Sequence, residues 1–256
     1  MRTVGKASAR LLAWAVLFCC VGSVAIAQEP SGNLAETWVI HTKAGQEAEF
    51  EQAFQTHLEV RKGKGDPRAW HTWVPVTGAD IGAYVVRSCC SAWKDMDGYR
   101  DWSLQAEIVV DWNQNVHQYV ERYEHYFGEV DFENSHWSGD GVPNYVGLTA
   151  LYPKMGTAQT VAQHVTAFST AAREMEWPYE WAWIQTIGGD GELVLVTPYA
   201  DFAAMEPPEK TFVQALSEKM GAVATGQMFA AWADNFEKTR YTIYRFRADM
   251  SLMPDE

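Results

Sequence analysis

Two stretches of this chain, residues 34–138 and 144–251, carry the same pattern, and a pattern written twice restricts the fold to two similar halves. Lys43-Ala44-Gly45 returns as Lys154-Met155-Gly156 at an offset of 111, and Trp73 returns as Trp183 at 110. Trp93-Lys94-Asp95-Met96-Asp97 returns as Phe202-Ala203-Ala204-Met205-Glu206 at 109. An unchanged order with one-residue slips is what unequal loop lengths in two copies of one fold produce. Ser138-Gly139-Asp140-Gly141-Val142-Pro143 has the composition of a linker. The chain therefore divides into residues 1–27, a first repeat at 28–138, a linker at 139–143 and a second repeat at 144–256.

Periodicity assigns the same element order to both repeats. In the first, residues 37–42 alternate as a strand, and Phe50, Ala53, Phe54, His57 and Leu58 form the inner stripe of a helix. Residues 70–77 and 83–88 read as strands joined by a hairpin at Gly78-Ala79-Asp80-Ile81-Gly82. A long helix is predicted over 96–123 and a closing strand over 126–132. The second repeat gives a strand at 145–152, a helix at 157–175, strands at 179–187 and 192–197, a helix at 211–237 and a strand at 241–247. Strand–helix–strand–strand–helix–strand is the ferredoxin-like unit, with helices on one face of a four-stranded sheet. The expected class is α+β: two such units that bury their bare faces sheet to sheet, as a fused pseudo-dimeric barrel.

Residues 1–27 read as a signal peptide. Arg2, Lys6 and Arg10 make a positive start, residues 11–24 an apolar run short of the about 20 residues of a membrane span, and Ala25-Ile26-Ala27 an A-x-A cleavage signal. The expectation is an exported protein, periplasmic or extracellular, with no membrane insertion after cleavage. A lipid anchor at Cys19 or Cys20 is the rival reading, and Phe18 speaks against it. With 20 Lys and Arg against 33 Asp and Glu, the chain carries a net charge of −13 and no basic stripe, so nucleic acid is not an expected partner. Beyond the leader only Cys89 and Cys90 remain. Adjacent strand residues point to opposite faces, which favours two small separate thiols over a bond between them.

The element order, the Lys-x-Gly turns, the hairpins and the aromatic-x-x-Met-acidic step together resemble the dimeric α+β barrel superfamily, with its antibiotic-biosynthesis-monooxygenase-like and NIPSNAP-like members. The ending Tyr244-Arg245-Phe246-Arg247-Ala248-Asp249-Met250-Ser251 is similar to the tail of exported bacterial proteins with this repeat. The resemblance implies a pocket between each sheet and its helices. Some relatives oxidise aromatic substrates without a cofactor, some degrade haem, and many have no known activity.

Several side chains could carry chemistry. Trp177, Tyr179, Trp181 and Trp183 fall at spacing two, as a row of rings that either fills the sheet-to-sheet interface or lines an aromatic pocket. His57 and His164 sit on inward helix stripes, where a satisfied core histidine is the simpler reading and an acid/base or haem-ligand role the sharper one. His117, Glu121 and His125 would share a helix face, but at about 1.5 Å rise per residue the outer pair cannot reach one ion, so no metal is expected. Hydrolase, zincin, nucleotide-binding and thioredoxin-like motifs are missing. Arg87, in mid-strand, is the odd polar choice; facing inward, it would need a carboxylate or an anionic ligand.

These residues define the expected site: His41, His71, Trp73 and Arg87, holding a small apolar or aromatic molecule between sheet and helices of the first repeat. The second repeat has Tyr152, Trp181 and Val196 where the first has His41, His71 and Arg87. The enzyme alternative is a cofactor-independent or haem-linked oxygenase, with His71 as base or His164 as haem ligand; no other cofactor is expected. A non-catalytic structural or partner-binding module is the third reading, and association into a homo-oligomer stays open.

Overall fold

The structure is a computed structural model that describes residues 32–139 and 141–253. The signal-peptide reading of residues 1–27 lies outside the described residues, as do Asp140 of the linker and residues 254–256. The first repeat comprises β1 (Leu34–Thr42), α1 (Glu47–Gly63), β2 (His71–Pro75), β3 (Ala83–Ser91), α2 (Met96–Gln105), α3 (Ile108–Asp111) and β4 (Val120–His136). The second comprises β5 (Tyr145–Pro153), α4 (Ala158–Glu174), β6 (Trp181–Ile187), β7 (Leu193–Tyr199), α5 (Phe212–Met220), α6 (Ala222–Ala233) and β8 (Phe236–Phe246).

Within the first repeat the strands lie in the order β4-β1-β3-β2, within the second β8-β5-β7-β6, all antiparallel. This is the ferredoxin-like order expected from the pattern. The halves do more than stack. β2 hydrogen-bonds to β8 and β4 to β6, so the two sheets close into one barrel of eight strands. Closure leaves no open sheet edge, the most complete answer to the tendency of edge strands to pair with other chains.

Register separates two faces. Trp38 opposes Val86 and Ile40 opposes Tyr84; these side chains point out under α1, where Phe50, Phe54 and Leu58 complete a dry core. In the second repeat Leu151, Trp181, Trp183 and Leu193 do the same under α4, against Val161, Val165 and Ala172. This corrects both readings of the tryptophan row. Trp181 and Trp183 are helix-side core residues, with Nε1 donating to the Asn134 carbonyl at 2.8 Å and to Ser169 Oγ at 3.2 Å respectively, while Trp177 and Tyr179 precede β6.

The long helices also need correction. Glu107 takes a left-handed φ of 61° and separates α2 from α3; a π turn at Trp112–Val116 follows, and β4 begins at Val120. Gly221, at φ 90°, separates α5 from α6, and β8 begins at Phe236. Val116, Val120 and Tyr123 fit a helical stripe, but pairing of Val120 with Thr42 and of Tyr123 with Ile40 wins over local period. His117, Glu121 and His125 therefore share no helix face, and among the described residues no cluster of three metal-type ligands exists. His125 instead stacks on Trp38 with ring centroids 3.9 Å apart. Cys89 and Cys90 form a vicinal disulfide, contrary to the separate-thiol reading. The ladder between β1 and β3 shifts register here, which breaks the alternation that would hold the two side chains apart.

At the β4–β6 seam Gly128 opposes Thr186, and a Cβ at Gly128 would lie 2.7 Å from Cγ2 of Ile184. Gly128→Ala should therefore cost about 1–3 kcal/mol in urea unfolding, with part of the loss recovered by adding Ile184→Ala. An unchanged unfolding midpoint would show that the seam has slack.

Candidate functional site

The inner face of the barrel is where the two repeats differ. In the first, register aligns Tyr126, Thr37, Arg87 and His71 in one row across β4, β1, β3 and β2. The equivalent row across β8, β5, β7 and β6 is Thr242, Leu148, Val196 and Ala182. One wall is polar and the facing wall apolar. Val146, Ala182, Val194 and Val196 form the apolar wall, with Trp73, Trp137, Leu148, Ile184 and Tyr244 packed against it.

Arg87 has no hydrogen-bond or ion-pair partner among the described residues; its titratable neighbours are the Tyr126 phenol and the His71 imidazole. The Arg87 side chain is half-buried, on the inward-facing row of β3. Burial pulls its pKa down to about 10, so it remains a cation at neutral pH. His71 is the direct cross-strand partner of Arg87. Burial first, and then the Arg87 charge, push the His71 pKa down from its ordinary value, which keeps the ring neutral at pH 7. Its Nε2 is enclosed with no partner. Burial also raises the phenols of Tyr126 and, to about 12, Tyr244, so both hydroxyls stay protonated as donors. Trp73 packs against Phe246 with ring centroids 5.1 Å apart.

Three of the four expected contacts thus come together, on a different side of the sheet from the one expected. His71, Trp73 and Arg87 face the barrel interior, because the sheet–helix layer of the first repeat is already filled by its own core. His41 shares that face but sits four residues beyond Thr37 on β1, about 13 Å along the strand at roughly 3.3 Å per residue. It belongs to the rim, in contact with Glu124 and Arg122, each at 3.3 Å. Tyr126 and Tyr244 were not anticipated.

The other histidines are accounted for. His57 is buried, with Nδ1 2.6 Å from Asp111 Oδ2 and Nε2 3.5 Å from Arg61, a satisfied core residue. His164 donates from Nδ1 to the Thr160 carbonyl at 2.9 Å and lies against Phe168 and Trp232. The layer beside it is occupied by Trp183, Trp232, Phe168 and Phe229, ring against ring. A haem on His164 does not fit these residues. A surface groove of about 580 Å³ between α4 and α5, lined by Trp177, Tyr179, Lys210 and Lys219, has its two lysines paired to Glu218 and Glu174 and so offers no free cation to an anion.

No protein-family model matches the sequence, and no curated protein matches it. Solved structures do match. A "putative monooxygenase" from Lactobacillus acidophilus NCFM superposes with a TM-score of 0.53 at 9% identity, covering 85% of this chain and 94% of that one. A chlorite dismutase variant from Candidatus Nitrospira defluvii gives 0.51 at 8% identity, covering 85% and 93%. The fold of this chain is of the dimeric α+β barrel kind, with both units in one chain. An anthrone oxidase-like protein is similar as well, with a TM-score of 0.50 at 8% identity over 86% of this barrel chain and 92% of its own. At such identities the likeness describes fold alone.

Two outcomes follow from the site's electrostatics. Arg87→Met removes an unpaired cation from the barrel and should raise the stability of the ligand-free protein by about 1 kcal/mol or more, the direction found when buried ions give way to apolar residues of like volume. A lower melting temperature would mean that the guanidinium has a partner. His57 and His71 both have folded pKa values below the unfolded 6.5, so the stability they contribute is present above that value and is lost as pH falls. Urea midpoints should accordingly drop between about pH 7.5 and about pH 5.5, and His71→Phe should flatten part of that slope.

Proposed function

We propose that the barrel interior binds a small organic anion with an apolar or aromatic body, and that Arg87 holds its acid group. The carrying observation is the guanidinium without a partner: an uncompensated charge inside a fold is costly, and an incoming carboxylate or sulfonate supplies the missing partner through paired hydrogen bonds. The apolar facing wall and the Trp73–Phe246 pair suit the rest of such a molecule. Tyr126 and Tyr244 add two donors at its flank. The N-terminal leader makes export part of this proposal.

The oxygenase reading uses the same space. In the tautomer with its hydrogen on the enclosed Nε2, neutral His71 would take a proton from a bound aromatic acid at Nδ1, and the monooxygenase-like and anthrone oxidase-like neighbours are compatible with that chemistry. The residues favour binding as the primary property, because Arg87 explains itself without any reaction.

The test is fluorescence titration with 1-anilinonaphthalene-8-sulfonate, an aromatic anion. The unaltered protein should bind it saturably, and Arg87→Met should weaken the affinity by about tenfold or more, about 1.4 kcal/mol. Equal affinity in the two proteins would overturn the reading.

A further inference from the structure

We propose that His71 makes the Arg87 site selective for aromatic acids that carry an oxygen on the carbon next to the acid-bearing one, as an ortho-hydroxy or adjacent keto group does. The proposal rests on the anion reading of Arg87 and adds to it a specificity-determining residue and a ligand class.

The geometry is that of two neighbouring strands. His71 on β2 and Arg87 on β3 are directly paired, with Thr72–Val86 and Trp73–Val85 continuing the ladder. Side chains directly opposite in this way leave the sheet side by side, with Cβ atoms about 4.5–5.5 Å apart. A guanidinium that takes both oxygens of a carboxylate fixes the plane and direction of the ligand. The imidazole beside it then meets whatever is attached one carbon further on. Trp73 is the next inward residue on β2, and Phe246 contacts both it and His71, with centroids 5.1 and 5.9 Å apart. In this arrangement the aromatic body of the ligand lies against the Trp73 and Phe246 rings.

The proton on His71 has a preferred place. An N–H enclosed with no acceptor is rarer and costlier than an enclosed lone pair. The enclosed nitrogen is Nε2, so the neutral ring carries its hydrogen on Nδ1, and the ring as a whole keeps open surface. His71 is therefore a donor, matched to an oxygen acceptor adjacent to the acid. The second repeat has Ala182 at the same place in its row, beside Val196, and could recognise neither group.

Calorimetric titration with salicylate, 4-hydroxybenzoate and benzoate tests this. All three are singly charged at neutral pH and differ in whether, and where, they carry the hydroxyl. In the unaltered protein salicylate should bind about fivefold or more tighter than 4-hydroxybenzoate, as one well-placed hydrogen bond allows. His71→Phe should bring the two within about twofold while benzoate is little changed; His71→Gln, which keeps a donor, should retain part of the preference. Equal binding of salicylate and 4-hydroxybenzoate, with Arg87→Met still weakening all three, would overturn the role of His71 and leave the anion site standing. Insensitivity of all three to Arg87→Met would overturn the anion site itself.

Discussion

The hydrogen bonds of two seams, β2 with β8 and β4 with β6, are the constraint on which the rest of this molecule depends. Each ferredoxin-like sheet alone has two unpaired edges and one bare face. Pairing the edges resolves the first problem and, because strands twist and tilt, turns the bare faces toward each other around a narrow interior. Eight strands enclose a space that side chains can nearly fill, or that can hold one small molecule. What lines that space is then decided residue by residue along the inward positions.

Those positions have diverged. Repeat two presents Leu148, Val196 and Ala182, which pack as any core does, whereas repeat one presents Thr37, Arg87 and His71 in the same register. The outward faces have not diverged in kind: both are dry layers under a first helix, rich in aromatic rings. The helix-side layers hold the fold together, and this frees the interior of one half to carry polar groups such as Arg87 that are not needed for the core.

Much of this was legible beforehand. The alternation of β1, the hairpins and the helical stripes of α1 and α4 are local signals, and the offset between copies tied them into one architecture. Arg87 stood out because a charge in mid-strand has no local explanation. What could not be read came from long-range pairing. Val116, Val120 and Tyr123 satisfy helical and strand periods equally until β1 supplies a partner. The Trp73–Trp183 correspondence was one residue out of step, and in a sheet one residue is a whole face: the register equivalent of Trp73 is Ile184, and Trp183 points the other way, under α4. Tyr126 and Tyr244 join the site only because β4 and β8 fold back beside β1 and β2, at sequence distances no motif spans.

Covalent fusion of the halves has a consequence of its own. A barrel assembled from two identical subunits would carry every interior group in duplicate, and two unpaired guanidiniums would then share one interior. Joining the subunits in one polypeptide lets one copy discard its cation. Twofold symmetry is thereby given up, and under the anion reading of Arg87 a guest would bind once per chain, in a polarity set by the half that kept the charge.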